Sequence, residues 1–439
     1  MNTKRLGKVG NKEKWLDEIA ENIYVTKLKY YCNVKDGTHD TPEYINQSEE
    51  NYPLVTSKDI KNGNIDFSDV KYISKKDMLN INKRSNVEEN DIIMPMIGTI
   101  GNPAIVQTNK QFSVKNVALF KTSDSSIKAR YLKYVLLSDV VLKQFEVLNR
   151  GGVQSFVSLN VLRNLLITRS ENEEKIVHYL DLKCSEINSL IDDKERLIIL
   201  LEAQRKAIIT EAVTKGLNPD INMKDSGVEW IGELPEHWII TKIKHKFTIQ
   251  KRIISQENPT VLSLTQKGLK IKDLEDFSGQ HAESYSNYQL VNKDDFVMNS
   301  MDLLTGFVDC SPYIGVTSPD YRVFTQRNLE ECHLYYLYYF QMCYFEKIFY
   351  GHGQGVSKLG RWRLQTDVFK EFPIMVPPVE EQFEIARTIS EKTNSINEII
   401  QMNRELIDKL KEYCQSLIFQ AVTGKIDVRD FVAEAVTNV

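Results

Sequence analysis

One stretch of this chain occurs twice, and it decides how the rest is organised. The first copy, residues 173–214, reads EEKIVHYLDLKCSEINSLIDDKERLIILLEAQRKAIITEAVT. The second copy, residues 382–423, reads QFEIARTISEKTNSINEIIQMNRELIDKLKEYCQSLIFQAVT. The copies align without a gap, and 12 of the 42 positions are identical, including the closing Ala-Val-Thr. An internal repeat of this kind indicates an architecture of two related halves.

Both copies are predicted to form long helices. Apolar side chains recur at alternating steps of three and four residues, and neither copy contains Gly or Pro, which is typical of a coiled coil. A polar residue interrupts the apolar pattern at the same point in each copy, and such a residue can fix the register of the pair. The predicted helix–helix interface consists of Leu180, Ile187, Leu190, Lys194, Leu197, Leu201, Ile208, Ile389, Ile396, Ile399, Asn403, Leu406, Leu410 and Leu417.

Helices from duplicated halves are expected to meet about a pseudo-twofold axis, and they would then form an antiparallel coiled coil. A helix of this length would be a rod of roughly 60 Å. The alternative is that the copies are unrelated amphipathic helices, each lying on its own globular core. The shared register and the shared polar interruption favour the coiled coil.

The composition is typical of a soluble protein with more than one domain. The chain has 439 residues, of which 42% are hydrophobic and 26% are charged. The longest apolar and aromatic run, residues 334–340, is too short to span a bilayer, and the N-terminus has no apolar signal core. Its six Cys show no CxxC spacing and are expected to be reduced, so we expect a cytoplasmic protein. The net charge of −4 disfavours nucleic-acid binding but still allows a locally positive face.

A second trace of the duplication lies at the start of each half. Residues 15–29 align without gaps on residues 230–244, so each half begins with a Trp-led segment and ends with a long helix. Short apolar strands, turn residues and one helix lie between these ends, which predicts an α/β (α+β) globule in each of two tandem pseudo-symmetric halves. The predicted boundaries are an N-terminal arm 1–14, a first globular domain 15–170, a first helix 171–216, a linker 217–229, a second globular domain 230–378, a second helix 379–423 and a C-terminal tail 424–439.

Catalytic motifs are absent from the sequence. It contains no GxxxxGK[ST] phosphate loop, no GxGxxG fingerprint, no GxSxG elbow and no HExxH. Asn102-Pro103-Ala104-Ile105 lacks the second Pro and the aromatic residue of the methyltransferase Asn-Pro-Pro-aromatic motif. The seven His are separated from one another, which argues against a metal site. We therefore expect a chain without enzymatic activity, without a metal and without a cofactor of its own.

Polar loops in both halves are candidates for contact with nucleic acid. Gly lets a backbone approach closely, while Lys, Arg, Gln and Ser can donate to phosphates and base edges. Residues 150–155 fit a tight helix-to-strand connection equally well, whereas the cluster of three cations at 358, 361 and 363 favours contact. The other loops could be a hairpin turn or solvated strand ends. The candidate DNA-binding residues are Lys35, Gly37, Thr38, His39, Arg150, Gln154, Ser155, Lys251, Arg252, Gln266, Lys267, Lys358, Arg361 and Arg363.

Several segments together resemble one protein family, the specificity subunits of type I restriction–modification systems. The segment that carries most of the resemblance is residues 227–238, Gly-Val-Glu-Trp-Ile-Gly-Glu-Leu-Pro-Glu-His-Trp, which resembles the opening of the second half of these subunits. Residues 212–217 and 421–426 are similar to the ends of the family's two conserved helices, and residues 377–382 to the start of the second. Residues 36–39 and 262–268 are similar to turns in its target-recognition domains.

This resemblance implies a non-catalytic subunit that supplies the DNA sequence specificity of a larger complex. Each globule would be a target-recognition domain for one half of a bipartite, asymmetric site on double-stranded DNA, and the helices would set the spacer between the halves. Two modification subunits would bring S-adenosylmethionine and methylate adenine, and restriction subunits would bring ATP and Mg²⁺ for cleavage. The alternatives are a coiled-coil scaffold without DNA recognition, or a fused nuclease–methyltransferase, which the missing catalytic motifs disfavour.

Overall fold

The structure, a computed structural model of the chain, describes residues 19–97, 101–148, 157–253, 259–273, 284–355 and 362–431. The chain divides into two compact units. Unit 1 comprises Met1–Lys194 and Arg404–Val439, and unit 2 comprises Glu195–Asn403. The two copies of the repeat are continuous helices of 43 and 44 residues, and each of them runs through both units.

The α-helices include the two copies of the repeat, which form α5 (Glu173–Lys215) and α10 (Val379–Val422). In chain order, the α-helices are α1 (Lys75–Ser85), α2 (Ser126–Leu137), α3 (Asp139–Leu148), α4 (Leu159–Asn164), α5 (Glu173–Lys215), α6 (Ile243–Lys246), α7 (His333–Phe345), α8 (Ile348–Gly351), α9 (Thr366–Glu371) and α10 (Val379–Val422). Short 3₁₀ turns lie at Leu28–Tyr30 and Ser57–Asp59. Within the described ranges, no helix combines the length and the apolar character needed to cross a membrane.

Unit 1 is built on a four-stranded antiparallel sheet. Its strands are β1 (Ile23–Lys27), β2 (Asn33–Asp36), β3 (Tyr52–Val55), β4 (Ile60–Lys61), β5 (Asn64–Ile65), β6 (Lys71–Ile73), β7 (Ile92–Pro95), β8 (Ala104–Ile105), β9 (Ser113–Val114), β10 (Val117–Lys121) and β11 (Leu166–Ser170). The four-stranded sheet has the order β2-β10-β7-β8. Beside it lie a sheet of order β6-β3-β9, in which β3 and β9 are parallel, and the antiparallel pairs β1-β11 and β4-β5.

Unit 2 repeats this sheet. Its strands are β12 (Met223–Asp225), β13 (Glu233–Pro235), β14 (Ile239–Lys242), β15 (Phe247–Gln250), β16 (Leu262–Thr265), β17 (Gly268–Ile271), β18 (Gln289–Val291), β19 (Phe296–Met298), β20 (Val308–Cys310), β21 (Gly315–Thr317), β22 (Arg322–Gln326), β23 (Gln354–Gly355), β24 (Trp362–Arg363) and β25 (Pro373–Val376). The order β15-β22-β19-β20 matches β2-β10-β7-β8 strand for strand. In both sheets the first strand in sequence lies next to the fourth, and the second next to the third. The remaining strands form the antiparallel pairs β12-β13, β14-β25, β16-β17, β18-β21 and β23-β24.

A corresponding helix covers the core of each unit, α2 in unit 1 and α7 in unit 2. In unit 1, α2 buries Tyr131, Leu132 and Leu136 completely. In unit 2, the aromatic helix α7 buries Tyr335, Tyr339 and Phe340 completely. These aromatic rings belong to the largest cluster of buried side chains in unit 2, and Phe247 of β15 contacts the ring of Phe340 edge-on with centroids 5.2 Å apart. Burial of large aromatic side chains is a major source of stability for such a core.

A pair of strands closes each globule where its long helix begins. Lys27 of β1 pairs with Leu166 of β11, and α5 begins at Glu173, shortly after β11 ends. In unit 2, β14 pairs with β25 in the same antiparallel manner, and α10 begins at Val379. The Trp-led segments that repeat in the sequence lead into these first strands. The mixed α/β fold of two similar halves with long helices is therefore confirmed.

The long helices run antiparallel within each unit. In unit 1, the Sγ atoms of Cys184 and Cys414 lie 3.3 Å apart, while the rings of Tyr179 and Phe431 have centroids 5.2 Å apart. In unit 2, Arg205 Nη1 donates to Asn397 Oδ1 over 2.8 Å. There, too, residues near the end of α5 contact residues near the start of α10. A Cβ atom built on Gly216 would lie 3.0 Å from Glu381 Oε1.

Four residues of the predicted helix–helix interface lie outside the buried stripe. Leu190, Leu197, Ile399 and Leu406 are exposed, with 50%, 36%, 41% and 41% of their surface accessible. Their neighbours Ile191, Ile400 and Ile407 are buried, and Ile198 is half-buried. The buried positions of α5 continue the spacing that starts at Leu180, Cys184 and Ile187. The prediction passed over Cys184 and therefore chose the wrong member of two adjacent apolar pairs in each helix.

Candidate nucleic-acid interface

One group of candidate residues lies where β2 ends in unit 1. Asp36, the last residue of β2, is buried, and its Oδ2 atom lies 3.1 Å from His39 Nε2. His39 Nδ1 lies 3.0 Å from Asn116 Oδ1. Arg84 donates from Nη2 to Asp36 Oδ1. The buried carboxylate thus holds an imidazole and a guanidinium whose side chains are 52% and 63% exposed.

Gly37 brings this turn close to the loop between β9 and β10. A Cβ atom built on Gly37 would lie 2.3 Å from the carbonyl oxygen of Val114, far inside van der Waals contact. The Gly37 N–H donates to Val117 O over 2.9 Å, and the Thr38 N–H donates to Val114 O over 3.0 Å. These bonds fix the turn that presents His39. Thr38 and Lys35 are both half-buried beside it.

A basic helix beside this turn was missed by the sequence reasoning. Helix α1 carries Lys75, Lys76, Lys83 and Arg84, all of them exposed, and its acidic residue is Asp77. The helix is anchored on β9, because Ser113 Oγ donates to Asn82 Oδ1 over 2.8 Å. The two adjacent pairs of cations were visible in the sequence. What the sequence could not provide was the contact between Arg84 and Asp36, which places this helix beside the His39 turn.

In unit 2, the candidates Gln266 and Lys267 form the exposed turn of the β16-β17 hairpin. The turn is held by Thr265, whose Oγ1 accepts from the Lys267 N–H over 3.1 Å and donates to Gly268 O over 2.9 Å. Gly268 has a φ of +106°, a conformation that other residues rarely adopt. Asp309 Oδ2 accepts from the Leu269 N–H over 2.7 Å. The tip therefore presents an amide and an ammonium group on a fixed backbone.

A hydrogen-bonded loop, residues 299–306, connects this hairpin to the segment that carries Arg363. On one side, Gln266 Nε2 donates to Thr305 O over 3.3 Å. On the other side, a Cβ atom on Gly353 would lie 2.6 Å from Leu303 Cδ1, and Gly353 itself lies close to Trp362. Asp302 Oδ1 accepts from the N–H groups of residues 304 and 305, each over 3.0 Å, which stiffens the loop. The structure thus brings Gln266 and Arg363 to the same loop.

Arg363 is exposed and lies close to a buried arginine that the sequence reasoning did not single out. Arg322 is 7% exposed, donates from Nη2 to Leu364 O over 2.9 Å, and has its guanidinium 4.5 Å from the centroid of the Phe369 ring. Burial, together with the positive charge of Arg363, lowers the pKa of Arg322 to about 10. Two neighbouring guanidinium groups create a positive potential that favours an anion such as a phosphate.

The candidates after β15 occupy a different environment. Arg252 makes an ion pair with the buried Asp295, with Nη2 2.9 Å from Oδ2 and 3.0 Å from Oδ1. This ion pair holds the Arg252 guanidinium within the fold, and any contact of Arg252 with DNA would compete with it. Lys251 beside it is exposed. The candidates Arg150, Gln154, Ser155, Lys358 and Arg361 lie outside the described residues.

The long helices expose apolar side chains in addition to those that they bury. In unit 1 these are Leu190, Leu406 and Tyr413. In unit 2 they are Leu197, Ile199, Leu200, Phe383, Ile399 and Met402. Single exposed apolar residues are common on protein surfaces, but clusters of this kind on a helix are typical of surfaces that bind another protein.

The family model and the similar proteins all indicate the same family. Residues 240–411 match the family model for the type I restriction modification DNA specificity domain. The chain is 24% identical to the putative type I restriction enzyme MjaX specificity subunit of Methanocaldococcus jannaschii, over 94% of this chain and 96% of that protein. It is 23% identical to the MjaVIII specificity subunit of the same organism, over 94% of this chain and 95% of that protein.

The fold has a counterpart among solved structures. A chain from the type I R-M system, solved in connection with complex assembly and conformational transition, superposes with a TM-score of 0.65. The match covers 93% of this chain and 99% of that chain, at 16% sequence identity. At this identity the likeness concerns the fold alone.

Proposed function

The chain belongs to the specificity subunits of type I restriction–modification systems, and on that premise we propose that each of its units reads one half of a bipartite DNA site. It is a recognition component without a catalytic role of its own. Each target-recognition domain, 15–170 and 230–378, would contact a separate half-site. The observation that carries the proposal is that each unit presents its own group of exposed polar and cationic side chains: the cations of α1 and His39 in unit 1, and Gln266, Lys267 and Arg363 in unit 2.

In unit 1, we assign recognition to α1 and to the turn after β2. The exposed cations of α1 would bind phosphates, because a basic helix lowers its electrostatic energy beside the DNA backbone. His39 is fixed between Asp36 and Asn116, which engage both of its ring nitrogens, so a hydrogen bond to a base edge would replace one of these two contacts. Arg84, which is bound to the same carboxylate as His39, couples the phosphate-binding helix to this turn.

In unit 2, we assign recognition to the β16-β17 hairpin and to the segment around Arg363. Gln266 offers an amide that can both donate to and accept from a base, as in the bidentate contact of Gln with adenine. Lys267, Arg363 and the positive potential of Arg322 would hold phosphates. Since these groups differ in kind from those of unit 1, the two half-sites should differ in sequence.

The long helices would serve both as spacer and as docking surface. Both helices run through both units, so their length would fix the spacing between the half-sites. The exposed apolar residues on them would bind the modification subunits, which would bring S-adenosylmethionine and methylate a flipped adenine. Restriction subunits would join for cleavage with ATP and Mg²⁺. No cofactor is assigned to this chain.

A coiled-coil scaffold without DNA recognition is the alternative function. It would retain the helices, but it would give no reason for a cationic surface on each of the two units. The two functions differ in whether a methylation pattern depends on this chain.

Single-molecule methylome sequencing of cells that express this chain together with its modification subunit tests the proposal. We expect a bipartite adenine-methylation motif that disappears when the chain is deleted and returns when it is restored. Methylation that persists without the chain, or the absence of any motif despite an assembled complex, would instead support the scaffold.

A further inference from the structure

Three side chains of unit 2 that commonly ligate metals converge near the start of α7. They are Asp294, which precedes β19, Cys310, the last residue of β20, and His333, the first residue of α7. One ligand atom from each lies within 4.8 Å of the ligand atoms of the other two. Asp294 and His333 are exposed and Cys310 is half-buried, so a solvated ion could reach all three.

The backbone fixes two of these ligands relative to each other. The Asp294 N–H donates to Ser311 O over 2.8 Å, and the Ser311 N–H donates to Asp295 O over the same distance. These bonds join the turn of Asp294 to the residue that follows Cys310. Asp294 itself has a φ of +67°, a conformation that Asp and Asn tolerate better than most residues. The pair is therefore held in place without an ion.

The third ligand is equally well anchored. Glu331, two residues before His333, is buried and accepts from Tyr336 Oη over 2.8 Å and from Lys246 Nζ over 2.5 Å. The N–H of Cys332 donates to Gln382 Oε1 over 3.0 Å. These contacts at the start of the helix leave the His333 ring little freedom except rotation about its own side-chain bonds.

The ligand set indicates which ion would bind. A thiolate, an imidazole and a carboxylate together suit zinc, whereas Mg²⁺ and Ca²⁺ prefer oxygen ligands alone. Three protein ligands leave one tetrahedral position for water. Asp295 and Asp309 are the chain neighbours of Asp294 and Cys310 and add negative charge beside the cluster, while Arg252 pairs with Asp295. The local charge therefore favours a divalent cation, which would displace the thiol proton on binding.

We propose that Asp294, Cys310 and His333 form a zinc-type metal site that ties β20 and the turn before β19 to the start of α7. The site concerns the stability of unit 2 and is independent of the reading of DNA. A bound ion would cross-link three elements that are distant in sequence, and its binding free energy would add to the stability of the folded state.

Cobalt(II) titration of the reduced, metal-free full-length chain tests this site, because Co²⁺ reports its ligands optically. We expect tetrahedral d–d bands, a thiolate-to-cobalt charge-transfer band, and displacement of both by Zn²⁺. Cys310→Ser should abolish the charge-transfer band. Asp294→Asn, which keeps the backbone conformation, should weaken binding at least about tenfold, the lower end of what even outer-shell changes cost.

Controls separate this site from other cysteines and histidines. Cys414→Ser and His245→Ala, which alter a Cys and a His that do not belong to the cluster, should leave the spectrum and the affinity unchanged. Zinc should also raise the Tm of the unaltered chain but not that of Asp294→Asn. A charge-transfer band that survives Cys310→Ser, or a chain that binds no Co²⁺, would overturn the proposal.

Discussion

Cys184 and Cys414 lie 230 positions apart in the sequence, yet their sulfur atoms are 3.3 Å apart in unit 1. Each occupies a seam position of its helix, one on α5 and the other on α10. The hydrogen bond that the two thiols share lowers the pKa of Cys414 and raises that of Cys184. The contact fixes the register of the two helices in this unit.

Mild oxidation should therefore join these two residues. With diamide as the oxidant, both thiols would be oxidised to a disulfide while diamide is reduced to the hydrazine. Peptide mass spectrometry should find residues 184 and 414 linked, and Cys184→Ser should remove the link without creating another. Because the Cys414 thiolate is the attacking species, the reaction should slow as the pH falls. Recovery of both residues as free thiols under these conditions would contradict this helix register.

Separate replacement of two adjacent apolar residues on α5 distinguishes an effect on folding from an effect on assembly with the modification subunit. Ile191 is buried in the seam of unit 1, so Ile191→Ala should lower the free energy of unfolding by about 2 kcal/mol or more. Leu190 is half exposed, so Leu190→Ala should leave the Tm nearly unchanged and weaken binding of the modification subunit. Thermal unfolding and a pull-down with that subunit measure the two effects. If both variants unfold alike, the buried stripe lies on a different face of the helix.

Replacement of Gly37 should disturb the turn that presents His39. A Cβ atom there would clash with the carbonyl of Val114, so Gly37→Ala should cost about 1–3 kcal/mol in the free energy of unfolding. Gly351→Ala is the matched control, since a Cβ atom on Gly351 meets nothing within 4 Å. Denaturant unfolding of both variants measures the difference. Equal stability would show that the turn can move away from the loop between β9 and β10.

The cations of α1 should contribute to DNA affinity without specifying sequence. Lys75→Gln with Lys76→Gln should weaken binding by the assembled complex and reduce the slope of log K against log salt by about 0.9 for each phosphate that is no longer neutralised. Lys409→Gln with Lys411→Gln, which removes two exposed lysines from α10, is the charge-matched control. Binding titrations at several salt concentrations distinguish the pairs. An equal decrease in both would mean that only the net charge of the chain matters.

Changes in the two units should affect different halves of the recognised site. We expect His39→Ala to relax base preference in one half and Gln266→Ala to relax it in the other, each by about 1–3 kcal/mol of discrimination. Methylome sequencing of strains that carry each variant reports both halves together. If the two variants relax preference at the same bases, the two units do not read separate halves of the site.

The sequence predicted the features that repeat and missed those that depend on unrelated segments meeting. The repeat and the Trp-led segments correctly indicated two similar halves with long helices. The choice between Leu190 and Ile191 could not be made from periodicity, because both residues are apolar and adjacent. Nor could spacing reveal Asp294, Cys310 and His333 as neighbours, since they belong to a turn, a strand and a helix that are far apart along the chain. Such clusters depend on tertiary contacts that no local pattern encodes.

The strand pairs that close the globules also explain why the duplication is visible only at its edges. Because Lys27 is paired with Leu166, the polypeptide leaves and returns to nearly the same place, and β14 and β25 do the same in unit 2. Mutations, insertions or deletions between the two paired strands leave the start of the long helix unchanged. The sequence inside each globule can therefore diverge, while both copies must retain the strand pair and the long helix that hold the globule in place.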